Sequence, residues 1–223
     1  ISHASNSERT ASLEAFFKEL NSAGITGIID PSAGPPQSYE TLFALQEEQR
    51  LTLRVGYRIP AQRPRNEAEW FSAAMAFRQP RHDDGMISFL GLGESLVFGM
   101  NDGVTMGPGF NPSQQDRDEL VKVASFAAQR RIPVEIHAYT DDAAKAILDA
   151  FEIVDRTYSL KNLRWSIAHL NTGSAQTLDR MKALGLSYTV QMGPYFEAPA
   201  ILKANGSEVA LSSPPTRLAL DKG

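Results

Sequence analysis

Apolar positions along this chain switch repeatedly between a helical and an extended rhythm. Over residues 10–23, Leu13, Phe16, Phe17 and Leu20 fall on one helical face, and Gly24 supplies a C-terminal stop. The short apolar run ITGIID at 25–30, closed by Pro31, predicts a strand. A helix is predicted over 38–50 with Tyr39, Leu42, Phe43 and Leu45 inward, followed by a strand around 51–59. A further helical stretch at 66–78 carries Trp70, Phe71, Met75 and Phe77, and MISFLGLGE at 86–94 reads as a strand entering a glycine turn. A Gly/Pro-rich loop over 99–113 leads to a helix at 114–130, capped by Ser113. Strand 133–139, helix 142–155, strand 163–169, helix 174–184 and strand 186–192 complete the alternation, and SSPPTRLALDKG reads as a closing helix with its glycine stop.

Six strand–helix units with short connections are spaced as parallel βαβ crossovers require. Their strands are apolar along much of their length, as expected where both faces are covered. The expected fold is α/β, one domain over residues 1–223 forming part of a β/α barrel of TIM type. Six strands are two short of the eight that close such a barrel. A barrel lacking a wedge leaves two parallel edges free. The expectation is therefore a homo-oligomer that covers those edges, or a native gene product longer than this chain.

Composition narrows the function classes. The chain has 223 residues, 42% of them hydrophobic and 22% charged, in the range of a soluble globular domain. A formal net charge of −4, without a basic stripe, gives no field for nucleic acid or an anionic membrane. No apolar stretch approaches the ~20 residues that cross a bilayer. No leader is visible, although the first residue is Ile1 rather than Met, so the compartment stays open. With no cysteine, disulfides, thiolate metal sites and a cysteine nucleophile are excluded.

Candidate chemistry concentrates on two histidines. His137 ends the run IPVEIHAYTDDA and His169 ends LRWSIAHLN. Parallel neighbouring strands bring both imidazoles to the C-terminal rim, where ligands bind in α/β folds. Glu94 follows Gly91-Leu92-Gly93 at another strand exit and is either a ligand or a solvated loop acid. Asp141 and Asp142 open a helix and read as N-caps, Asp141 also as a group that could orient the site. Gln191 ends the last strand and is a candidate for binding a substrate amide. His82 lies in a polar turn and reads as solvated, and the loop 99–113 sits where a lid or substrate contact would lie. A lone GxG turn is weak evidence for phosphate binding, and no GxSxG elbow marks a serine nucleophile.

Several segments resemble, in order and spacing, the metal-dependent amidohydrolase superfamily, and within it the branch that includes N-substituted formamide deformylases. AGITGIID resembles that branch's second strand, VEIHAYTDDAAKAILDAFE its fifth, LRWSIAHLN its sixth and LGLSYTVQMGPYF its seventh. The resemblance implies a barrel with one or two divalent ions, zinc above all, at the C-terminal mouth. It implies His137 and His169 as metal ligands, with Glu94 as a bridging carboxylate and Asp141 at the family's aspartate position. The implied reaction is hydrolysis of an amide-type, non-peptide C–N bond in a small molecule by water that the metal acidifies.

The departures from the family are specific. Its first-strand His-x-His pair has no counterpart, since His3 stands alone, and its eighth-strand aspartate lies past the last residue. Gly91 falls where many members carry a lysine, and Ala168 stands where glutamate is usual. Two other readings follow from these gaps: a catalytically incompetent fragment or degenerate barrel, or a metal-free barrel that binds a phosphorylated small molecule.

Overall fold

The computed structural model describes residues 5–31, 39–76 and 84–223. Its strands are β1 (Gly27–Asp30), β2 (Arg54–Ile59), β3 (Ile87–Leu92), β4 (Glu135–Thr140), β5 (Ser166–Thr172) and β6 (Ser187–Thr189). Its helices are α1 (Asn6–Ser22), α2 (Glu40–Glu47), α3 (Glu67–Ala76), α4 (Gln114–Gln129), α5 (Asp141–Asp155), α6 (Ala175–Leu184), α7 (Gly193–Leu211) and α8 (Thr216–Lys222). A 3-10 turn, Phe98–Met100, interrupts the long loop before α4. All strand pairs are parallel, in the order β1-β2-β3 and β4-β5-β6. A bridge between Leu92 and Val134 joins the two sets, with Leu92 N–H donating to the Pro133 carbonyl at 2.9 Å. The result is an open arc of strand–helix units, part of a TIM-type barrel.

The seam between β3 and β4 explains the glycines of FLGLGE. Gly91 has φ +116°, and a Cβ there would stand 2.0 Å from the Pro133 carbonyl oxygen. Gly93 has φ +137°, and its Cβ would stand 2.1 Å from the Glu135 carbonyl oxygen. Only glycine permits both the left-handed backbone and the approach, so close packing accounts for the turn that also suggested a phosphate cradle.

The core lies between the sheet and the helices. Trp165, Phe151, Ile147, Leu120 and Val134 are fully buried there, and the Trp165 indole N–H donates to the Ile132 carbonyl at 2.9 Å. Tyr39, Leu42, Phe43 and Leu45 are buried as the helical spacing predicts, as is Phe71. Phe17 is buried but Phe16 is 48% exposed, so the apolar stripe of α1 is narrower than its sequence suggests. Phe77 and His82 lie outside the described residues. The inner face of the arc is polar under the rim. Arg58 Nε lies 3.4 Å from Glu135 Oε1, Arg58 donates to the Leu90 carbonyl at 2.8 Å, and the Ser166 hydroxyl donates to Glu135 at 3.0 Å.

Several element boundaries differ from the sequence reading. Helix α1 begins at Asn6 rather than 10, and β5 runs Ser166–Thr172 rather than 163–169. The last strand ends at Thr189 rather than 192, with α7 starting at Gly193. Glycines and prolines at 193, 194, 199 and 206 hide that helix from propensity; Gly206, at φ 81° and ψ 174°, kinks it. Among the described residues, no helix is long and apolar enough to cross a membrane.

Two measurements test this architecture. Gly91→Ala should lower stability by about 3 kcal/mol or more in urea unfolding, since the backbone carbonyl it meets has no room to yield. Gly85→Ala, at φ +76° in open space, should cost only about 1 kcal/mol. Among the described residues, the outer edges of β1 and β6 make no strand pairs. Self-association through them is the expected solution behaviour, read in sedimentation velocity as species heavier than the monomer that dissociate on dilution.

Candidate metal centre

The rim of the arc gathers one side chain from each of three strand exits. β4 contributes His137, β5 contributes His169, and the turn after β3 contributes Glu94. One ligand atom from each lies within 4.8 Å of the other two. His169 Nε2 is 3.0 Å from Glu94 Oε2. His137 Nδ1 is 3.8 Å from Glu94 Oε1, an ion-pair distance rather than a hydrogen bond. The two imidazole centroids are 4.7 Å apart at 63°.

Strict alternation does not produce this meeting. His137 pairs in register with Ala168, and His169 with Ala138. In a regular strand His169 therefore shares the helix-facing side of Ala138 and turns away from His137. The register shifts between Ala138 and Thr140, where Thr140 pairs with Thr172 and β5 holds one extra residue. His169 takes φ 74° and Leu170 φ 40°. This bulge swings the His169 ring to the inner face and leaves Leu170 wholly buried. A leucine in left-handed backbone is a strained conformation, and it stands beside the candidate ligands.

Glu94 is carried to the site by its backbone. Its carbonyl accepts from His137 N–H at 3.0 Å, and Gly93 N–H donates to the Ile59 carbonyl at 3.0 Å. Tyr139, two residues beyond His137 and on the same strand face, stacks on the His137 ring at 4.8 Å and meets the His169 ring edge-on at 4.9 Å.

Behind His137 lies a carboxylate that sequence reasoning missed. Asp102, in the long loop, is buried. It accepts from Tyr139 N–H at 3.0 Å, Thr140 N–H at 2.9 Å and the Thr140 hydroxyl at 2.7 Å. His137 Nε2 lies 2.8 Å from the Gly103 carbonyl and 3.3 Å from Asp102 Oδ1. Alternation on β4 could have singled out Tyr139, as it shares the face of His137. Nothing local marks Asp102, which is distant in sequence from the strand it serves.

Proton affinities follow from these contacts. The His137 imidazole first and His169 second hold the Glu94 carboxyl down at about 2. Burial pushes His137 down, but Asp102, Glu94 and the Gly103 carbonyl outweigh it and raise the imidazolium to about 9. Burial likewise pushes Asp102 up, and the bonds from His137, Tyr139 and Thr140 bring it below the ordinary carboxylate range.

The other candidates lie elsewhere. Asp141 does not cap α5: the Thr140 hydroxyl does, accepting from Ala143 N–H. Asp141 instead accepts from Ser174 N–H at 2.7 Å and the Thr177 hydroxyl at 2.6 Å and pairs with Lys145 at 2.7 Å, fastening α5 to α6. Asp142 accepts from Gly109 N–H at 2.8 Å and ties down the long loop. Gln191 stands beyond β6 in the turn into α7, not on a strand, with its Nε2 buried beside Gly193. A rim cleft of about 330 Å³ is lined by residues including Thr140, Asp141, Thr172, Ser174, Asn205 and Glu208. Glu94, His137 and His169 are not among its walls.

Comparison with known proteins bears on the family and the fold. An amidohydrolase family profile matches residues 2–223. The chain belongs to that amidohydrolase family. No curated protein matches the sequence. Among solved structures, an uncharacterized metal-dependent hydrolase from Pyrococcus horikoshii OT3 superposes with TM-score 0.71 at 18% identity, covering 98% of this chain and 44% of that one. One from Pyrococcus furiosus gives 0.65 at 20% identity, covering 94% and 43%. An atrazine chlorohydrolase from Arthrobacter aurescens TC1 complexed with zinc gives 0.53 at 13% identity, covering 93% and 45%. At these identities the likeness is one of fold, and the chain spans less than half the length of each of these proteins.

The shifted groups set a pH dependence for the metal-free chain. His137 is raised from 6.5 to about 9, so its contribution is full below 6.5 and lost as pH rises through about 9. Glu94 is lowered from 4.5 to about 2, so its contribution holds above 4.5 and is lost as pH falls through about 2. Chemical unfolding from pH 7 to 10 should show a loss on the order of 2 kcal/mol after allowance for solvent screening. His137→Gln should remove that slope.

Proposed function

We propose that this chain carries the metal-binding rim of a hydrolase acting on amide-type, non-peptide C–N bonds of small molecules. The carrying observation is the convergence of Glu94, His137 and His169 within 4.8 Å. Two imidazole nitrogens and one carboxylate oxygen form a donor set of the kind that catalytic zinc sites use with the fourth position open. The ligand atoms of all three lie within 4.8 Å of one another, a spacing and donor set that suit one shared divalent ion. His137 would bind through Nδ1, His169 through Nε2 and Glu94 through its carboxylate. A divalent ion held there by Glu94, His137 and His169 would supply Lewis-acid polarisation of a scissile carbonyl and would acidify water, lowering its pKa to about 7.

The protein's own groups do the rest. Gly103 and Asp102 hold the His137 ring, the β5 bulge holds the His169 ring, and the Tyr139 ring walls one side of both. Asp102 is not free to take a proton from water, because both its oxygens are engaged by Tyr139, Thr140 and His137. Gln191, with its buried Nε2, is the candidate for gripping a substrate amide. Membership of the amidohydrolase family supports the reaction class. The segments AGITGIID and VEIHAYTDD favour the formamide deformylase-like branch, and the zinc complex of one fold relative supports zinc.

Metal analysis is the direct test. After chelator treatment and reloading with zinc or manganese, the chain should retain about one ion and melt at higher temperature. His137→Ala, His169→Ala and Glu94→Gln should each abolish stoichiometric retention. Metal below stoichiometry and indifferent to all three substitutions would overturn the reading in favour of a scaffold that has lost its centre.

A further inference from the structure

We propose that Asp102 is a positioning residue of this centre: it clamps the loop turn whose Gly103 carbonyl locks the His137 ring with Nδ1 toward Glu94 and His169. The inference rests on the metal reading of those three residues and adds to it a group from a distant part of the chain.

The geometry is that of a peg. Asp102 enters the end of β4 from the loop after β3, and its two carboxylate oxygens take the N–H groups of two successive residues, Tyr139 and Thr140, together with the Thr140 hydroxyl. The side chain of Asp102 has no exposed surface. Backbone donors at a strand terminus lack a ladder partner, and an aspartate there satisfies two of them together with a hydroxyl. The turn that follows Asp102 is held by its own hydrogen bonds. Gly103 adopts φ +61°, its N–H donates to Asn101 Oδ1 at 2.8 Å, and Thr105 N–H closes the turn on the Asp102 carbonyl at 3.2 Å. The Gly103 carbonyl is thereby aimed at His137 Nε2, 2.8 Å away.

Rotating the imidazole by half a turn would put carbon against that carbonyl and against Asp102. The nitrogen facing the candidate ligands would be lost in the same movement. A ring nitrogen anchored by a carbonyl or carboxylate sets the tautomer and direction of the other nitrogen, and removing such partners typically costs 10–100-fold in metal affinity. The Thr140 hydroxyl that Asp102 engages also caps α5, accepting from Ala143 N–H at 3.2 Å. The peg therefore joins loop, strand end and helix start at one buried point. Elsewhere the same loop is held by Gly109 N–H on Asp142 and by the Met106 carbonyl on Asn205. Neither of those ties reaches the imidazoles, so they provide a control.

The experiment compares wild type, Asp102→Ala, Asp102→Asn and Asp142→Ala. Zinc dissociation constants come from chelator competition. Ring-proton NMR of metal-free, ¹⁵N-histidine-labelled protein supplies a readout that needs no metal. In the wild type, His137 should show a slowly exchanging Nε2–H, assigned by its couplings to both ring carbon protons. Asp102→Ala should weaken zinc binding about 10–100-fold and lose that protected proton. Asp102→Asn, which turns an amide N–H₂ toward one of the existing donors, should fall between the two. Asp142→Ala, which loosens the loop without touching His137, should keep both wild-type zinc affinity and the protected proton.

Wild-type affinity and a protected Nε2–H in Asp102→Ala would overturn the inference while leaving the metal reading intact. Equal losses in Asp102→Ala and Asp142→Ala would overturn it too, since general loop anchoring would then explain both. Should Asp102→Ala fail to fold, Asp102→Asn and the wild-type ring proton decide, and an unprotected Nε2–H in the wild type refutes the assignment. A protected proton lost on substitution, in a chain that binds no metal in any form, would uphold the role of Asp102 and sink the metal centre instead.

Discussion

Opposite the single residue Tyr139 on β4, the neighbouring strand β5 inserts two, Leu170 and Asn171, and the geometry of the rim depends on that mismatch. Regular pairing sets His169 beside Ala138, on the side of the sheet that packs against helices. The left-handed backbone at His169 and Leu170 reverses the ring and brings it against Glu94 and the His137 imidazole. The strain of two consecutive non-glycine residues at positive φ, of order 1–3 kcal/mol each, is held in place by what surrounds it. Leu170 is entirely buried, and the strand continues into pairing at Thr172. Packing thus keeps a conformation that the isolated segment would abandon.

A second constraint is the closeness of β3 to β4. Gly91 and Gly93 let the chain run against the carbonyls of Pro133 and Glu135, and that proximity delivers Glu94 to the rim. Gly91 is a point of backbone contact, and a carboxylate three residues later faces both imidazoles. The glycines are therefore part of how the site is built. Below the rim, Arg58 on β2 approaches Glu135 on β4 across the intervening strand. Burial lowers the proton affinity of Arg58, and Glu135 partly restores it. Such a buried pair is weak evidence for stability by itself, because desolvation offsets much of its attraction. Its hydrogen bonds to the Leu90 carbonyl and the Ser166 hydroxyl tie β2, β3, β4 and β5 together beneath the rim.

Much of this architecture could be read from periodicity. The helices around Leu42 and Phe71, the Ser113 cap of α4 and all six strand positions follow from apolar spacing and turn residues, which are local properties. Local rules failed where packing competes with them. Phe16 lies on the predicted stripe of α1 yet faces solvent. The start of α5 is capped by Thr140, one residue before the acidic pair that looked like caps. Asp141 and Asp142 lie inside the first turn and accept from Ser174, Thr177 and Gly109 on neighbouring segments. Helix α7 forms despite two prolines and a kinking glycine, which intrinsic propensity counts against it.

By itself the sequence determined the α/β class, the parallel order of the strands and the placement of two histidines and one glutamate at strand exits, because alternation, glycine stops and strand-end polar residues act over a few neighbours. Tertiary structure alone decided that these three side chains face one another. Their meeting depends on an extra residue in β5 that breaks alternation, on carbonyls of β4 that demand glycine in the turn after β3, and on a loop aspartate that pins the His137 ring from far away in the chain. Each of these is a relation between segments distant in sequence, and no window along a single strand contains it.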